Sequence, residues 1–140
     1  MTNEAAGAKD GKSTAPWAGG SEAILLVEDD AILRDLFSSV LGQCGYEVSV
    51  AANGNEALAA VHRRPGRFGL VISDVQLPGM SGVELARQLR AEGESVPILL
   101  LSGYGDADLA SVTGLAVTLA EKPVRPAVLA RKVRELLDAR

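Results

Sequence analysis

Five side chains that could do chemistry each follow a short apolar run in this sequence. They are Glu28, Asp29, Asp74, Ser102 and Lys122. The run before Asp74, residues 70–72, leads through Ser73 and Asp74 toward a Pro-Gly turn. Short apolar runs bounded by turn residues are typical of strands buried on both faces of a parallel sheet. Because side chains at the carboxyl ends of such strands share one edge of the sheet, the pattern predicts a site there.

Each of these residues, taken alone, also has a purely structural interpretation. Asp74 beside Pro and Gly could make a local turn bond. Asp29 and Asp30 could be acids favoured by the dipole at a helix N-terminus. Ser102 could be a turn former and Lys122 a solvated surface residue. Their joint position after four of five predicted strands favours a functional site over four separate coincidences.

The spacing of apolar and turn residues predicts five strands that alternate with five helices. The predicted strands cover 22–27, 46–51, 70–72, 96–101 and 116–119, and the predicted helices cover 31–44, 55–64, 81–91, 106–113 and 125–140. Such alternation is typical of an α/β protein with a parallel sheet covered on both faces. Right-handed crossovers favour the flavodoxin-like strand order 2-1-3-4-5, with 46–51 at an edge.

Three local features refine this prediction. The helix over 31–44 carries one wide apolar stripe and is expected to end at Gly42 and Gly45. The stripe consists of Ile32, Leu33, Leu36, Phe37, Val40 and Leu41. Ser81, with Glu84 three residues later, predicts a capped helix start. Residues 1–21 are poor in apolar residues and are expected to be a disordered tail or linker before a domain at 22–140, with Trp17 a loose aromatic or a docking residue.

The composition excludes several classes of function. A net charge of −4, without a basic block, argues against a nucleic-acid surface. A single cysteine, Cys44, permits neither an internal disulfide nor a cysteine metal cluster. No apolar run reaches the ~18 residues that would span a bilayer, and no signal-peptide core is present, so we expect a cytoplasmic protein. His62, without a histidine or cysteine partner, is expected to be a surface residue.

Carboxylates clustered at one point repel each other unless a cation lies among them. With no histidine or cysteine nearby, the ligands would all be oxygen, which favours a hard ion such as Mg²⁺. An aspartate can act as a nucleophile toward phosphorus, while a lysine and a hydroxyl stabilise charge on the transferred group. The set therefore predicts Mg²⁺-dependent phosphoryl transfer to a carboxylate.

Four segments, taken in order, resemble the motifs of the receiver domain of bacterial two-component response regulators, a CheY-like family. They are LLVEDD, ISDVQLPGMSG, LLLSGYGD and AEKPV, and the resemblance covers about residues 22–140. Under this resemblance Asp74 is the phosphoacceptor. Asp29 is expected to ligate Mg²⁺ directly, with Glu28 contributing through water and the backbone carbonyl of Gln76 as a further ligand.

The resemblance also implies roles for residues around the phosphoryl group. Ser102 is expected to hydrogen-bond it and to move toward it on activation. Lys122 is expected to pair with a phosphoryl oxygen, and the Lys122–Pro123 peptide bond is expected to be cis. Gln76 and Tyr104 occupy positions that tune the loss of the phosphoryl group, and Gly103 leaves room beside the site.

One position departs from the family pattern. Receiver domains usually carry an aromatic switch residue three positions before the lysine, and Leu119 stands there. A leucine can change rotamer but has no ring or hydroxyl to couple to Ser102. Tyr104 is a candidate for part of that aromatic role.

The resemblance implies a signalling switch rather than an enzyme, beyond self-catalysed phosphorylation and autodephosphorylation. A histidine kinase or histidine phosphotransfer protein would donate the phosphoryl group. A downstream protein would bind the face formed by the fourth predicted helix, the fifth strand and the last helix. We expect no output domain, no direct nucleic-acid binding and no membrane insertion, so the chain would be a single-domain regulator or the receiver of a hybrid histidine kinase.

Two other classes of function compete with this interpretation. A Mg²⁺-dependent phosphatase similar to the haloacid dehalogenase family would carry its nucleophile after the first strand as Asp-x-Asp, whereas the first strand here is followed by Glu-Asp-Asp. A flavodoxin-like cofactor binder would need a phosphate-binding loop after the first strand, where the acidic residues would repel a phosphate.

Overall fold

The computed structural model describes residues 19–103 and 112–139, which form one five-stranded sheet flanked by helices. The strands are β1 (Ala23–Val27), β2 (Glu47–Ala51), β3 (Leu70–Asp74), β4 (Ile98–Ser102) and β5 (Thr118–Glu121). The helices are α1 (Ala31–Gln43), α2 (Gly54–Arg63), α3 (Gly82–Ala91) and α4 (Pro126–Asp138). All strand pairs are parallel and the order is β2-β1-β3-β4-β5, so the predicted α/β class and strand order are confirmed.

The described residues contain four helices instead of the five predicted. Apart from Val112 and Thr113, the helix predicted over 106–113 lies outside the described residues, as does Tyr104. Val112 belongs to a turn closed by the amide of Leu115, which donates to the Val112 carbonyl over 3.1 Å. Within 19–103 and 112–139, no helix is both long enough and apolar enough to cross a membrane.

The start of the described chain contacts α4 and Cys44, the residue that follows α1. Of the predicted tail, residues 1–18, including Trp17, lie outside the described part. The amide of Gly20 donates to the Cys44 carbonyl over 3.1 Å. Arg134 on α4 donates to the Gly19 carbonyl and forms an ion pair with Glu22. The last residues of the predicted tail therefore pack against α4 and the end of α1.

The core is divided by the sheet into two apolar clusters. Residues of one face of β1 and β3, such as Ile24 and Ile72, pack against α1 and α4. Residues of the other face, such as Leu25 and Val71, pack against α2 and α3. This division follows from the alternation of side chains along a strand. Because both faces are covered, every residue of β1 and β3 is buried, as the continuous apolar runs predict.

Helix α1 corrects part of the predicted apolar stripe. Phe37, Val40 and Leu41 are buried as predicted. Ile32 and Leu36, by contrast, are 80% and 47% exposed. The core-facing stripe follows the spacing of residues 33, 37, 40 and 41, and positions 32 and 36 lie at its flank, beyond the width that the sheet covers. Gly42 also lies inside α1, so only the turn after the helix uses a left-handed glycine, Gly45 with φ +100°.

Strand β5 starts two residues later than predicted, at Thr118 instead of Ala116. Ala116 has φ +56°, a left-handed conformation that is incompatible with a strand. The guanidinium of Arg90, on α3, accounts for this geometry by donating to the carbonyls of Leu115 and Ala116 over 2.7 and 3.1 Å. The backbone that the sequence pattern assigned to the strand is therefore turned toward α3.

Candidate phosphoacceptor site

An open cleft of about 670 Å³ lies at the carboxyl ends of β1, β3 and β5. Its lining residues come from these strand ends, from the loop after β3 and from the start of α1. They are Glu28, Asp29, Asp30, Leu33, Asp74, Val75, Gln76, Leu77, Pro78, Ser81 and Lys122. The strand order places β1 and β3 next to each other, which is why residues 46 positions apart in the chain meet here.

Asp74 is the last residue of the central strand β3 and is only 4% exposed. Its Oδ1 accepts a hydrogen bond from the Gln76 amide over 3.1 Å, and its Oδ2 accepts one from Lys122 Nζ over 2.6 Å. One oxygen of the carboxylate is thus held by the backbone and the other by an ammonium group. Such a carboxylate has a defined orientation toward the cleft.

Gly82, at the start of α3, lies against the backbone of Asp74. A Cβ atom at this position would be 2.2 Å from the Asp74 carbonyl oxygen. The Gly82 amide donates to the Val75 carbonyl over 2.8 Å, and Ser81 caps the helix by accepting from the Glu84 amide as predicted. The absence of a side chain at Gly82 therefore lets α3 begin directly behind the candidate phosphoacceptor.

Three carboxylates converge in the cleft. One carboxylate oxygen each of Glu28, Asp29 and Asp74 lies within 4.8 Å of the other two. Glu28 is 2% exposed, whereas Asp29 faces solvent. Carboxylate oxygens on an open cleft suit Mg²⁺, which takes one or two carboxylates and keeps several waters. The Asp30 side chain does not belong to this group of three carboxylates. It caps α1 by accepting hydrogen bonds from the amides of Ile32 and Leu33.

The electrostatics of the cleft are dominated by burial of Glu28. The pKa of the Glu28 carboxyl is raised to about 7, chiefly by burial and to a smaller extent by the nearby charge of Asp74. A hydrogen bond from the Asp30 amide and the positive charge of Lys122 oppose this rise. Without a cation, the charge on Glu28 is therefore disfavoured near neutral pH. A metal ion bound beside this carboxylate would favour its charged form.

Not every residue singled out in the sequence reaches the cleft. Ser102 ends β4 next to β3, but its hydroxyl donates to the Gly103 carbonyl over 3.3 Å and it is not among the lining residues. Its own carbonyl accepts from the Lys122 amide over 2.9 Å. Leu119, on β5, is half-buried and packs against the cluster on the α2 and α3 face. The Lys122–Pro123 peptide bond is cis.

Two contributors were not found from the sequence. Arg34, on α1, donates from its guanidinium to the carbonyl of Glu28 over 2.9 Å and so supports the acidic loop from behind. Gly82 supplies the space described above. The signal for Arg34 was available, since it lies one helical turn after the cap Asp30 and a helix places i and i+4 on one side. No neighbouring residue in the sequence indicates that position 82 needs a glycine, because the close contact there is with the backbone of Asp74 in β3.

Comparison with known proteins places the chain in a family. The response regulator receiver domain family matches residues 24–134 of the chain, and the chain belongs to this family. Among curated relatives, the transcriptional regulatory protein FixJ of Bradyrhizobium diazoefficiens is 37% identical over 103 residues, which cover 71% of this chain. The chain matches 49% of FixJ and thus spans about half of its length.

Solved structures agree with this assignment. The chemotaxis response regulator CheY4 of Vibrio cholerae has a TM-score of 0.74 and 30% identity, covering 84% of this chain and 99% of CheY4. The receiver domain of the hybrid histidine kinase CckA has a TM-score of 0.71 and 35% identity, covering 82% of this chain and 98% of that domain. Receiver domains are phosphorylation-dependent switches that interact with histidine kinases and phosphotransfer proteins, and the resemblance of the four motifs to this family is thereby confirmed.

Proposed function

We propose that Asp74 accepts a phosphoryl group from a histidine kinase or a histidine phosphotransfer protein in a Mg²⁺-dependent reaction. One observation carries this proposal: a buried, oriented carboxylate at the end of the central strand lies beside two more carboxylates and one lysine. A purely structural aspartate would not need a second and a third acid within 4.8 Å.

In the proposed reaction a carboxylate oxygen of Asp74 attacks the phosphorus of a phosphohistidine. The new P–O bond forms as the P–N bond breaks, and the electron pair of that bond leaves with the imidazole nitrogen, which takes up a proton. Lys122 is part-exposed, so its ammonium can turn from the Asp74 oxygen toward an oxygen of the incoming group. The Gln76 amide keeps the other Asp74 oxygen in place.

A bound Mg²⁺ would screen the negative charges that the phosphoryl group and Asp74 bring together. Asp29 and Asp74 would be direct ligands, and Glu28 would contribute through water. The backbone carbonyl of Gln76 would be a further ligand from the protein. The geometry of the three carboxylates supports this assignment. In the absence of the ion, Lys122 is the positive charge that pairs with Asp74 in the cleft.

Signalling is proposed to begin at Ser102. Its hydroxyl would exchange the Gly103 carbonyl for a phosphoryl oxygen and so draw the segment after β4 toward Asp74. Leu119, in the usual aromatic position, would follow by a change of rotamer. Gln76 and Tyr104 would tune the lifetime of the phosphoryl group, and Gly103 would leave room beside the site. The downstream partner would bind the face built from the predicted helix over 106–113, β5 and α4.

The donor protein is proposed to dock on the start of α1. Ile32 and Leu36 expose apolar surface there, and Ile32 lies two residues after Asp30, the last acid of the cleft. A large exposed apolar side chain is a candidate contact for a partner. Replacing both residues by serine should slow phosphotransfer from phosphorylated histidine kinases but leave labelling by acetyl phosphate unchanged, because the small donor needs no docking surface.

The proposed function is tested by incubating the protein with Mg²⁺ and acetyl phosphate and measuring its intact mass. The wild type should gain the mass of one phosphoryl group, and Asp74→Asn should not. Removal of Mg²⁺ should abolish the gain. Asp35→Asn, an exposed acid on α1 and outside the cleft, is the matched control and should label like the wild type.

A wild type that gains no mass and also fails to bind beryllofluoride would overturn the proposal. Labelling that persists in Asp74→Asn would move the acceptor to another residue. Turnover of a stable phosphate ester would instead support the phosphatase alternative, which the position of Asp74 after the third strand and the family membership disfavour. We further propose that the protein acts in the cytoplasm, where such donors reside.

A further inference from the structure

A second cavity, of about 280 Å³, lies at the outer edge of the sheet beside β2 and the end of α2. It shares no lining residue with the cleft around Asp74. Arg63, Arg64 and Arg67 contribute three positive charges to its lining, and Glu47 contributes one negative charge. A local excess of positive charge is unexpected at random in a chain of net charge −4.

A tight turn holds these arginines together. The Arg67 amide donates to the Arg64 carbonyl over 3.0 Å, and Gly66 between them has φ +76°. Proline followed by a glycine of positive φ is typical of a type II turn, which brings its first and last residues close together. Arg63 is the last residue of α2, directly before the turn. The three arginines are thus presented by a helix end and a rigid turn rather than by a flexible loop.

Most of this positive charge is uncompensated. Arg67 forms an ion pair with Glu47, and both side chains are exposed. The guanidinium groups of Arg63 and Arg64 make no ion pair or hydrogen bond with any residue in the described part of the chain. The position of Arg63 at a helix C-terminus favours a cation. This position does not account for Arg64 and Arg67, which line the same cavity and repel Arg63.

The rest of the cavity wall is partly apolar. Ala60, on α2, and Phe68 are both half-buried and line the cavity on the face of the sheet that carries α2. Guanidinium groups bind phosphate through paired hydrogen bonds, and an aromatic or aliphatic wall offers contact to an organic group. A volume of about 280 Å³ fits a small molecule rather than a macromolecular segment.

We propose that this cavity, lined by Arg63, Arg64, Arg67, Ala60 and Phe68, is a binding site for a small organic phosphate. The phosphate lies on the free guanidinium groups of Arg63 and Arg64. The organic part packs against Ala60 and Phe68. The site is separate from Asp74 and would bind whether or not Asp74 can be phosphorylated.

The proposal is tested by titrating AMP into the full chain at low ionic strength with EDTA present, and following backbone amide signals by NMR. AMP should shift the amides of Ser49, Val50 and Phe68 in a saturable manner. Inorganic phosphate should bind more weakly, and adenosine should cause no shift. Replacing Arg63 and Arg64 together by Gln should weaken AMP binding about tenfold for each arginine removed.

Two controls make the test specific. Arg125→Gln/Arg131→Gln removes the same charge from α4 and should leave AMP binding unchanged. Asp74→Asn should also leave it unchanged, which separates this proposal from the proposed function. Absence of AMP-induced shifts at Ser49, Val50 and Phe68 up to millimolar concentration would overturn the proposal, as would shifts that survive the double substitution. Inorganic phosphate binding as tightly as AMP would overturn the role of Ala60 and Phe68.

Discussion

Lys122 Nζ lies 2.6 Å from Oδ2 of Asp74 and so joins the end of β5 to the end of the central strand β3. Strand β4 lies between them, and its last residue, Ser102, accepts a hydrogen bond from the Lys122 amide. The lysine is therefore fixed by its backbone while its side chain crosses one strand to reach the carboxylate. A phosphoryl group on Asp74 would break this ion pair and give Lys122 a new partner.

Replacing Lys122 by Gln is expected to slow phosphorylation of Asp74 by acetyl phosphate by about ten- to a hundredfold, since a hydrogen bond to a charged group contributes about 1.5–3 kcal/mol. The initial rate of mass gain measures this effect. Lys132→Gln, on α4 and outside the cleft, should keep the wild-type rate. A rate for Lys122→Gln within twofold of wild type would show that the lysine does not assist transfer.

The raised pKa of Glu28 predicts a pH-dependent stability of the metal-free protein. Because folding raises this pKa from 4.5 to about 7, the folded state binds the proton more tightly than the unfolded state. The resulting stabilisation is complete below about pH 4.5 and is lost as the pH rises through 7. A rise of this size corresponds to about 3 kcal/mol. Urea unfolding in EDTA between pH 5 and 8 should show the loss, and Glu28→Gln should remove it.

Glu135→Gln, on the exposed surface of α4, is the control and should keep the pH dependence of the wild type. Added Mg²⁺ should stabilise the protein more strongly as the pH rises through 7, because a ligand carboxylate must be deprotonated. A free energy of unfolding that does not change between pH 5 and 8 in EDTA would contradict the assigned environment of Glu28.

Two glycines in helices should respond in opposite ways to the same substitution. At Gly82 a Cβ would lie 2.2 Å from the Asp74 carbonyl oxygen, whereas nothing lies within 4 Å of a Cβ at Gly42. Gly82→Ala should lower the free energy of unfolding by about 1–3 kcal/mol and slow labelling of Asp74. Gly42→Ala should raise it by about 0.5–1 kcal/mol through helix propensity alone. Urea unfolding of both variants decides this, and equal effects would contradict the packing described at Gly82.

The side chain of Arg90 is predicted to stabilise the two segments that lead into β4 and β5. Its guanidinium donates to four carbonyls, those of Glu94, Val96, Leu115 and Ala116. Arg90→Met should cost about 2–4 kcal/mol of unfolding free energy, because several of these carbonyls lose a charged donor. Arg90→Lys should lower the unfolding free energy less than Arg90→Met does, because lysine keeps the charge but cannot reach all of these carbonyls. Arg87→Gln, which removes an exposed ion pair on the same helix, should cost less than about 1 kcal/mol.

The strand order and the meeting of Glu28, Asp29, Asp74 and Lys122 were predictable from the sequence. Each follows an apolar run that alternates with a helix, and parallel strands bring such residues to one edge without any knowledge of contacts. The strand-end logic placed Ser102 at the same edge but could not assign the direction of its hydroxyl, which bonds to Gly103.

Other features depended on contacts between distant segments. The start of β5 was wrong by two residues because Arg90, 26 positions earlier in the chain, binds the carbonyl of Ala116. The apolar stripe of α1 was too wide because Ile32 and Leu36 carry the right residue type but lie beyond the sheet. Periodicity shows which side chains are apolar, while the width of the covering surface determines which of them are buried.

The division of the core by the sheet has an evolutionary consequence. Helix α1, with its exposed Ile32 and Leu36, packs on one face of the sheet, whereas α2, with its three arginines nearby, packs on the other. The strands separate the two surfaces, and the lining of the cleft comes from the strand ends, the loop after β3 and the start of α1. A substitution on one face can therefore change what that surface binds without altering the opposite face or the strand ends that carry the cleft.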